Sequence, residues 1–342
     1  MATIREIAKE ANTSIGTVSN YLNEPSLVKE STRKKIEEAI RHFDYHPKAA
    51  ARSLKSKLTH RIGIVPVISS EDNRADDPGD DAFLELLAGI NTIAAENGYD
   101  LLLSAVTSAE NEMTILKRLI GEEQVDGMII QGIRSGDERL LYMKKKKFPF
   151  VSYGQSDLPI QYPFVDVDGE SGMIKAVRYL AELGHTRIAY ITPPNSLMCT
   201  SQRWKGFVEG MRISALPIRD EFILEGDFSG KTGKIAGEKL LALDTPPTAI
   251  LTSNDSCAFG LIQTLEKAGL KPGKDISVIG FDDVSLAAHW QPGLTTIAQP
   301  FRKIGFCLMK TLLEVIQGEN SWPHVMLDPE LIIRDSTGKA RG

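Results

Sequence analysis

Three stretches in the second half of the chain end apolar runs with polar residues. Arg203 follows RIAYI within QRWKGF, Asn254 and Asp255 close TAILTSND, and Asp282 and Asp283 close DISVIGFDD. A guanidinium donates in a fixed fork, a carboxylate accepts, and an amide does both, so the set suits a polyhydroxylated small molecule that is held but not changed. Trp290 lies in the loop after Asp282 and offers the flat face against which a sugar ring packs. For Asp255 the simpler reading is a cap on the helix that follows. Patterns for bond-breaking chemistry are missing. EGDFSGKTG at 225–233 approaches a phosphate-binding loop but has Glu225 where that loop needs glycine. No GxGxxG opens a helix after a strand, and there is no GxSxG or HExxH. Six histidines, three of them in the first 60 residues, leave little for general base work. Cys199, Cys257 and Cys307 are far apart in sequence and read as reduced thiols in packed elements, with no metal or cofactor implied.

A second polar set stands near the amino terminus, in TIREIAKEANTSIGTVSNYLN at 3–23. Thr3 with Glu6 forms a capping box, and Ile4, Ile7, Ala8 and Ala11 make one apolar stripe, so a first helix is expected. Asn12, Thr13 and Ser14 supply a turn, with Ser14 capping a second helix whose Val18, Tyr21 and Leu22 pack back on the first. Ile15, Gly16, Thr17, Ser19 and Asn20 then face outward at the amino end of that helix. A recognition helix presents side chains to base edges from this position: Asn20 to adenine, Ile15 to a thymine methyl, Thr17 and Ser19 to phosphate or base. The candidate DNA-contacting set of the head is therefore Thr3, Ser14, Ile15, Gly16, Thr17, Ser19 and Asn20. A helical hairpin that merely supports another domain is the competing reading. Ser31 is expected to cap a third helix with Ile36, Ala39, Ile40 and Phe43 inward and Arg33, Lys34 and Lys35 in its first turn.

Charge separates the two sets. The net charge of −5 over 342 residues hides a split: residues 1–60 hold eleven Lys or Arg against seven Asp or Glu, and the remainder holds 29 against 38. A basic head on an acidic body is expected when only the head meets phosphate. From Arg61 onward, apolar strands alternate with amphipathic helices, the pattern of α/β layers with parallel sheets. One series runs RIGIVPVI, YDLLLSAV, DGMIIQG and PFVSY; a second begins at FVDVD and continues with RIAYI, FILEG, TAILTS and DISVIGF. Two series make two lobes, and ligands bind between such lobes at the carboxyl ends of the strands. No apolar run approaches the roughly 18 residues of a membrane helix. Met1 leads straight into a capped helix without a signal region, so a cytoplasmic location is expected.

The head sequence together with YHPKAAARSLKSKLTHRIGIV at 45–65, and then GHTRIAYI, PTAILTSND, DISVIGFDD and LTTIAQP, resembles the lactose-repressor (LacI/GalR) family of bacterial transcription regulators. The resemblance spans nearly the whole chain, in the family's order. It implies an N-terminal three-helix helix-turn-helix head (1–45), a hinge helix and linker (46–60), and a two-lobed periplasmic-binding-protein-like domain of doubly wound parallel sheets (61–342). On this scheme the first lobe takes about 61–164 and 297–324, and the second about 165–296 and 325–337. The crossing segments fall near 162–166, 293–298 and 322–328, and the helix FRKIGFCLMKTLLEVIQ returns to the first lobe. It also implies a repressor of transcription, not an enzyme, that acts as a homodimer on a pseudo-palindromic operator under control of a small effector, a sugar or glycoside, with a purine as the alternative. Arg203, Asn254 and Asp282 match positions that bond the effector, and Phe83 matches an aromatic that lines its site. Many sugar-binding relatives carry an aspartate where this chain has Gly154. A two-lobed binding protein or enzyme is the rival class, and the basic head argues against it.

In that family the hinge helix forms on DNA, and Leu54 is the matching residue for the leucine pushed between base pairs. Ala50 and Ala51 would let two hinges approach, and Lys48, Arg52 and Lys55 would meet phosphates. Such a short helix is marginal alone and needs a partner to order it. A wedge contributes only where the duplex kinks, whereas cations act on any sequence. Leu54→Ala should therefore weaken operator binding far more than binding to random DNA; equal losses in a fluorescence-anisotropy titration would reduce the segment to a linker.

Overall fold

The computed structural model describes residues 2–45, 58–67, 81–318 and 322–341. The chain divides into two compact units, Met1–His60 and Arg61–Gly342.

In the first unit α1 (Ile4–Glu10), α2 (Ile15–Asn23) and α3 (Glu30–His42) enclose a core of Ile7, Ala8, Ala11, Val18, Val28, Ile36 and Ala39. The Thr3 backbone N–H donates to the Glu6 carboxylate at 2.6 Å, which holds that carboxyl below its usual range. Ser14 Oγ accepts from the Thr17 N–H at 3.0 Å, capping α2 as its sequence position suggests. The third helix differs from expectation. It starts at Glu30 with Lys29 before it, and no side chain caps it. Ser31 is thus already inside the helix, and Glu30 occupies the first turn, where an anion suits the exposed amides better than the expected cations would. Lys34 lies one turn on, 3.5 Å from Glu30.

The second unit holds two six-stranded sheets. The first is built from β1 (Arg61–Ile64), β2 (Asp100–Leu103), β3 (Gly127–Ile130), β4 (Phe150–Tyr153), β5 (Phe164–Val167) and β11 (His324–Leu327), in the order β11-β5-β4-β3-β1-β2. The second holds β6 (Ile188–Thr192), β7 (Ile223–Glu225), β8 (Ala249–Leu251), β9 (Ser277–Asp282), β10 (Thr295–Ala298) and β12 (Glu330–Ile332), in the order β12-β10-β9-β8-β6-β7. Pairing is parallel throughout except between β10 and β12. The helices α4 (Asp81–Glu96), α5 (Ala109–Gly121), α6 (Glu138–Lys146) and α12 (Phe301–Ile316) accompany the first sheet. The second carries α7 (Gly169–Glu182), α8 (Met198–Ile213), α9 (Gly230–Leu241), α10 (Asp255–Lys267) and α11 (Ser285–His289).

Sheet membership corrects the lobe boundaries. FVDV, expected to open the second lobe, is a strand of the first: Ser152 pairs with Phe164 and Tyr153 with Val165. Its fully buried apolar run reads the same in either sheet, so pairing alone decides. Likewise β10 stays in the second sheet beside β9, and β11 joins the first beside β5. The chain therefore passes between the sheets after Val167, just beyond the expected 162–166, after Ala298, at the end of the expected 293–298, and after Leu327, within the expected 322–328.

Helices on both sheets meet backbone to backbone. A Cβ on Gly89 of α4 would come 2.1 Å from the Arg302 carbonyl, and one on Gly305 of α12 would come 2.2 Å from that of Leu86. On the second sheet, a Cβ on Gly233 of α9 would strike the Cys257 carbonyl at 2.0 Å, and one on Gly260 of α10 that of Gly230 at 1.9 Å. Gly305→Ala should destabilise the protein by about 1–3 kcal/mol, although alanine is the better helix former. Thermal unfolding should then show a midpoint roughly 3–10 °C lower; an unchanged midpoint would mean that the α4–α12 seam yields freely.

Candidate effector cleft and DNA-contacting face

A cavity of about 750 Å³ lies where the carboxyl ends of the two sheets face each other. Nearly every strand ends on it: Pro66 follows β1, Gln131 follows β3, Tyr153 and Asp166 belong to β4 and β5, Asn254 follows β8, Asp282 ends β9 and Gln299 follows β10. This is the topology that places ligands at a switch between strands.

On the second-sheet wall, Arg203 of α8 is only 7% exposed. Its guanidinium lies 3.5 Å from the centroid of Phe281 and donates to the Ser253 carbonyl at 2.8 Å. The aromatic face and the carbonyl fix the fork, leaving its other N–H groups for the cleft. Asn254 caps α10 by accepting from the Cys257 N–H at 2.9 Å, so the group it can offer a ligand is its NH2. Asp282 has φ of 125° and accepts from Gln299 Nε2 at 2.6 Å. Gln299 Oε1 in turn accepts from the Tyr153 hydroxyl at 2.8 Å. One relay thus runs from β4 of the first sheet, through the crossing strand, to the carboxylate of the second. Burial, with the charges of Asp282 and Asp166, pushes the Tyr153 hydroxyl well above its ordinary value and keeps it a donor.

The first-sheet wall holds Phe83 of α4 and Asp166. Asp166 is buried and accepts from Gln155 N and Nε2, each at 3.2 Å, from Gln202 Nε2 at 3.1 Å and from the Val167 N–H at 2.8 Å. Burial raises its carboxyl despite these donors. Gln202 belongs to α8, so this bond spans the cleft. Gly154, with φ of 108°, turns the chain between Tyr153 and Gln155 and brings no side chain of its own. Beneath this wall Arg139 is buried with Glu112 and Asp137. It donates to Glu112 at 2.6 Å, to both Asp137 oxygens at 2.9 and 2.6 Å, and to the carbonyls of Gln131 and Gly132 at 3.1 and 2.8 Å. Burial opposes ionisation of Asp137, but the bonds and charge of Arg139 overcome it and hold the carboxyl below its usual range. The cluster pins the loop after β3. That loop reaches across the cleft, where the Ile133 carbonyl accepts from the Met198 N–H at 2.8 Å.

Phe83, Arg203, Asn254 and Asp282 therefore line one cavity, and Trp290 does not. The loop after Asp282 folds into the short α11, which turns the Trp290 ring onto Phe259 at 4.5 Å between centroids, against the core of the second sheet. Asp255 departs from its expected role as well. Asn254 is the cap, and Asp255 is 1% exposed, accepting from Thr296 Oγ1 at 2.5 Å and from the Val284 N–H at 2.9 Å. Tyr153, Asp166, Gln202, Phe228 and Gln299 are cleft residues that sequence reasoning missed. A carboxylate inside the apolar run FVDV was the available signal for Asp166. In the loop EGDFSGKTG, Asp227 accepts from the Ser229 and Thr232 hydroxyls, so the Thr232 hydroxyl is engaged within its own loop.

In the head, Ile15 is 46% exposed, Gly16 and Asn20 are exposed, and Thr17 and Ser19 are half-buried. The Ser14 and Thr17 hydroxyls share a hydrogen bond of 2.8 Å, and the Thr3 hydroxyl donates to Glu6 at 2.9 Å. Lys48, Ala51, Arg52, Leu54 and Lys55 lie outside the described residues. Among the described residues no helix is long and apolar enough to cross a membrane, and no group of His, Cys, Asp and Glu could hold a metal ion.

A helix-turn-helix unit followed by a two-sheet unit with a polar cleft defines a DNA-binding regulator that answers to a small molecule. Comparison with known proteins shows the family. A model of bacterial regulatory proteins of the lacI family matches residues 3–48, and a model of a periplasmic binding protein-like domain matches residues 177–337. The chain is similar to the HTH-type transcriptional repressor PurR of Vibrio vulnificus (strain CMCP6), with 32% identity over 341 residues, covering 99% of each chain. Among solved structures it is similar to the lac repressor dimer bound to operator and the anti-inducer ONPF, at 28% identity and a TM-score of 0.85, covering 98% of this chain and 99% of that one. A complex of the transcriptional regulator CelR with cellobiose follows at 25% identity and a TM-score of 0.74, covering 98% and 100%. The chain belongs to the LacI family of bacterial regulatory proteins, as a DNA-binding transcriptional repressor and not an enzyme.

Burial, and next the charge of Asp282, raise the Asp255 carboxyl well above its ordinary 3.8. A raised value in the folded state means that the folded protein holds this proton more tightly. The resulting stability is complete below about 3.8 and is lost as pH rises through the folded value. Asp255→Asn removes the titration, so the variant's melting temperature relative to wild type should climb as pH rises above about 4. A difference independent of pH would show that Asp255 does not titrate differently on folding.

Proposed function

We propose that the cleft is the effector site of this repressor and that its effector is a sugar or glycoside. The carrying observation is that a fixed donor fork, Arg203, and a fixed acceptor, Asp282, share one cavity with Asn254 and with the aromatic faces of Phe83, Tyr153 and Phe228. Hydroxyl groups both donate and accept, and they satisfy such a wall without a formal charge on the ligand. Four carboxylates, Glu112, Asp166, Asp227 and Asp282, line the cavity with two arginines, Arg134 and Arg203, and this balance disfavours an anionic effector. Cellobiose in the CelR complex is a ligand of this chemical type.

The repressor acts as a homodimer on a pseudo-palindromic operator in the cytoplasm, with Thr3, Ser14, Ile15, Gly16, Thr17, Ser19 and Asn20 as the contacting face of each head. A single recognition helix reads too few bases for genomic specificity, and the similar lac repressor is a dimer on its operator. The ligand acts through a difference in affinity between the lobe arrangements that favour and disfavour operator binding.

A thermal-shift screen of the full-length protein against cellobiose, lactose, D-ribose, hypoxanthine and adenosine tests the effector class. A ligand at about 100 times its dissociation constant adds about 2.7 kcal/mol. A shift with the purines alone would overturn the sugar reading. Arg203→Ala and Asp282→Ala should each weaken the ligand by about 1–3 kcal/mol, or roughly 5- to 150-fold, while operator affinity without ligand stays within a few fold. An undiminished ligand response in both variants would place the effector site elsewhere.

A further inference from the structure

Asp282 meets the cleft from an improbable backbone. Asp282 and Asp283 follow one another with φ of 125° and 59°, a region that side chains other than glycine rarely adopt. Two successive residues in this state need an external constraint. Asp283 is tied by an ion pair to Arg334 at 2.7 Å, on one side of the turn. On the other side is Asp255, which the effector site as described leaves without a role.

The Asp255 carboxyl is almost wholly buried at the first position of α10. Oδ2 accepts from the N–H of Val284, the residue that leaves the turn, at 2.9 Å. Oδ1 accepts from the Thr296 hydroxyl on β10 at 2.5 Å. The strand beside it is cut away to admit the group: a Cβ on Gly280 would lie 2.1 Å from Asp255 Oδ1. A glycine in the interior of a strand weakens it, and here it marks a close approach. The carboxyl thus joins three parts of the second sheet's cleft edge, namely the start of α10 next to Asn254, the exit of the turn, and β10 just before Gln299.

We infer that Asp255 is a positioning residue for the effector: seated in the notch at Gly280, it clamps the Asp282–Asp283 turn so that the Asp282 carboxylate is presented to the cleft and to Gln299. It touches no ligand itself. The inference rests on the cleft being the ligand site, and it extends that reading to a residue behind the wall.

An isosteric change separates clamping from mere burial. In Asp255→Asn the side-chain oxygen can still accept from Val284 while the NH2 donates to the Thr296 hydroxyl, which can accept. Asp255→Ala can do neither. Hydrogen exchange on full-length protein, read by mass spectrometry, should show amides of the 282–288 segment exchanging about ten-fold faster or more in Asp255→Ala, with β6 and β8 unchanged. Asp255→Asn should stay close to wild type. Wild-type protection in Asp255→Ala, or an Asn variant as loose as the Ala variant, would overturn the clamp. Calorimetric titration with cellobiose and D-ribose as probes gives the functional arm. For whichever probe wild type binds, Asp255→Ala should lose about ten-fold or more in affinity and Asp255→Asn should recover it. An Asp255→Ala protein that binds the probe as wild type does would also refute the inference. If wild type binds neither sugar, the exchange experiment alone decides whether Asp255 clamps the turn, and the thermal-shift screen decides the effector class.

Discussion

Neither sheet of the second unit can be completed from one continuous piece of chain. The first sheet waits for β11 near the carboxyl terminus, and the second takes β10 and β12 from either side of a helix that belongs to the first. Three crossings therefore run between the sheets, and all three pass at the end where the parallel strands terminate. That constraint places the cavity at the strand ends. It also explains why polar side chains cluster there: the apolar strand interiors are spent on the two cores, and only the strand ends and crossings remain for hydrogen bonding. Asp282 ends a strand, Gln299 lies on a crossing, and Asn254 begins a helix, so the wall is assembled from chain segments with little else in common.

The electrostatics of the cleft follow from this arrangement. Arg203 is held by an aromatic face and a carbonyl, Asp166 by two glutamine side chains and backbone amides, and Asp282 by Gln299. Arg203 and Asp166 are oriented by neutral partners, so a ligand can compete for them without first breaking an ion pair. An ionic cluster of Arg139, Glu112 and Asp137 fixes the loop that joins the two sides, and Glu112, which also pairs with Arg134, reaches the cavity wall. Removing one member of such a buried set costs more than the pair contributes, because the others are left uncompensated.

Much of this was legible in the sequence. The capped helices of the head, the alternation of strands and helices, and the polar residues closing TAILTSND and DISVIGFDD follow from local chemistry, and Phe83, Arg203, Asn254 and Asp282 do line one cavity. What escaped depends on long-range pairing. FVDV is equally apolar on any sheet, so its place beside β4 could not be read from its pattern. Tyr153 and Gln299 meet across 146 positions, and nothing local in either announces it. Trp290 was misplaced because a loop's path is set by its packing partner, here Phe259, and not by its distance from Asp282 along the chain. Asp255 and Asn254 are adjacent residues of capping type, and the register of α10 decides which of them caps.

The glycine contacts between α4 and α12, and between α9 and α10, bear on how the protein responds to force. Where helix backbones touch directly there are no side-chain rotamers to rearrange and no slack to take up, so each layer is stiff. Work done by a ligand on one wall of the cleft has few places to be absorbed. The three crossings are the covalent links between the two stiff halves, with the Gln202–Asp166, Met198–Ile133 and Tyr153–Gln299 hydrogen bonds beside them. Stiff halves joined through so few links are the construction in which a change at a strand end is felt as a movement of one whole half against the other, and not as a local repacking.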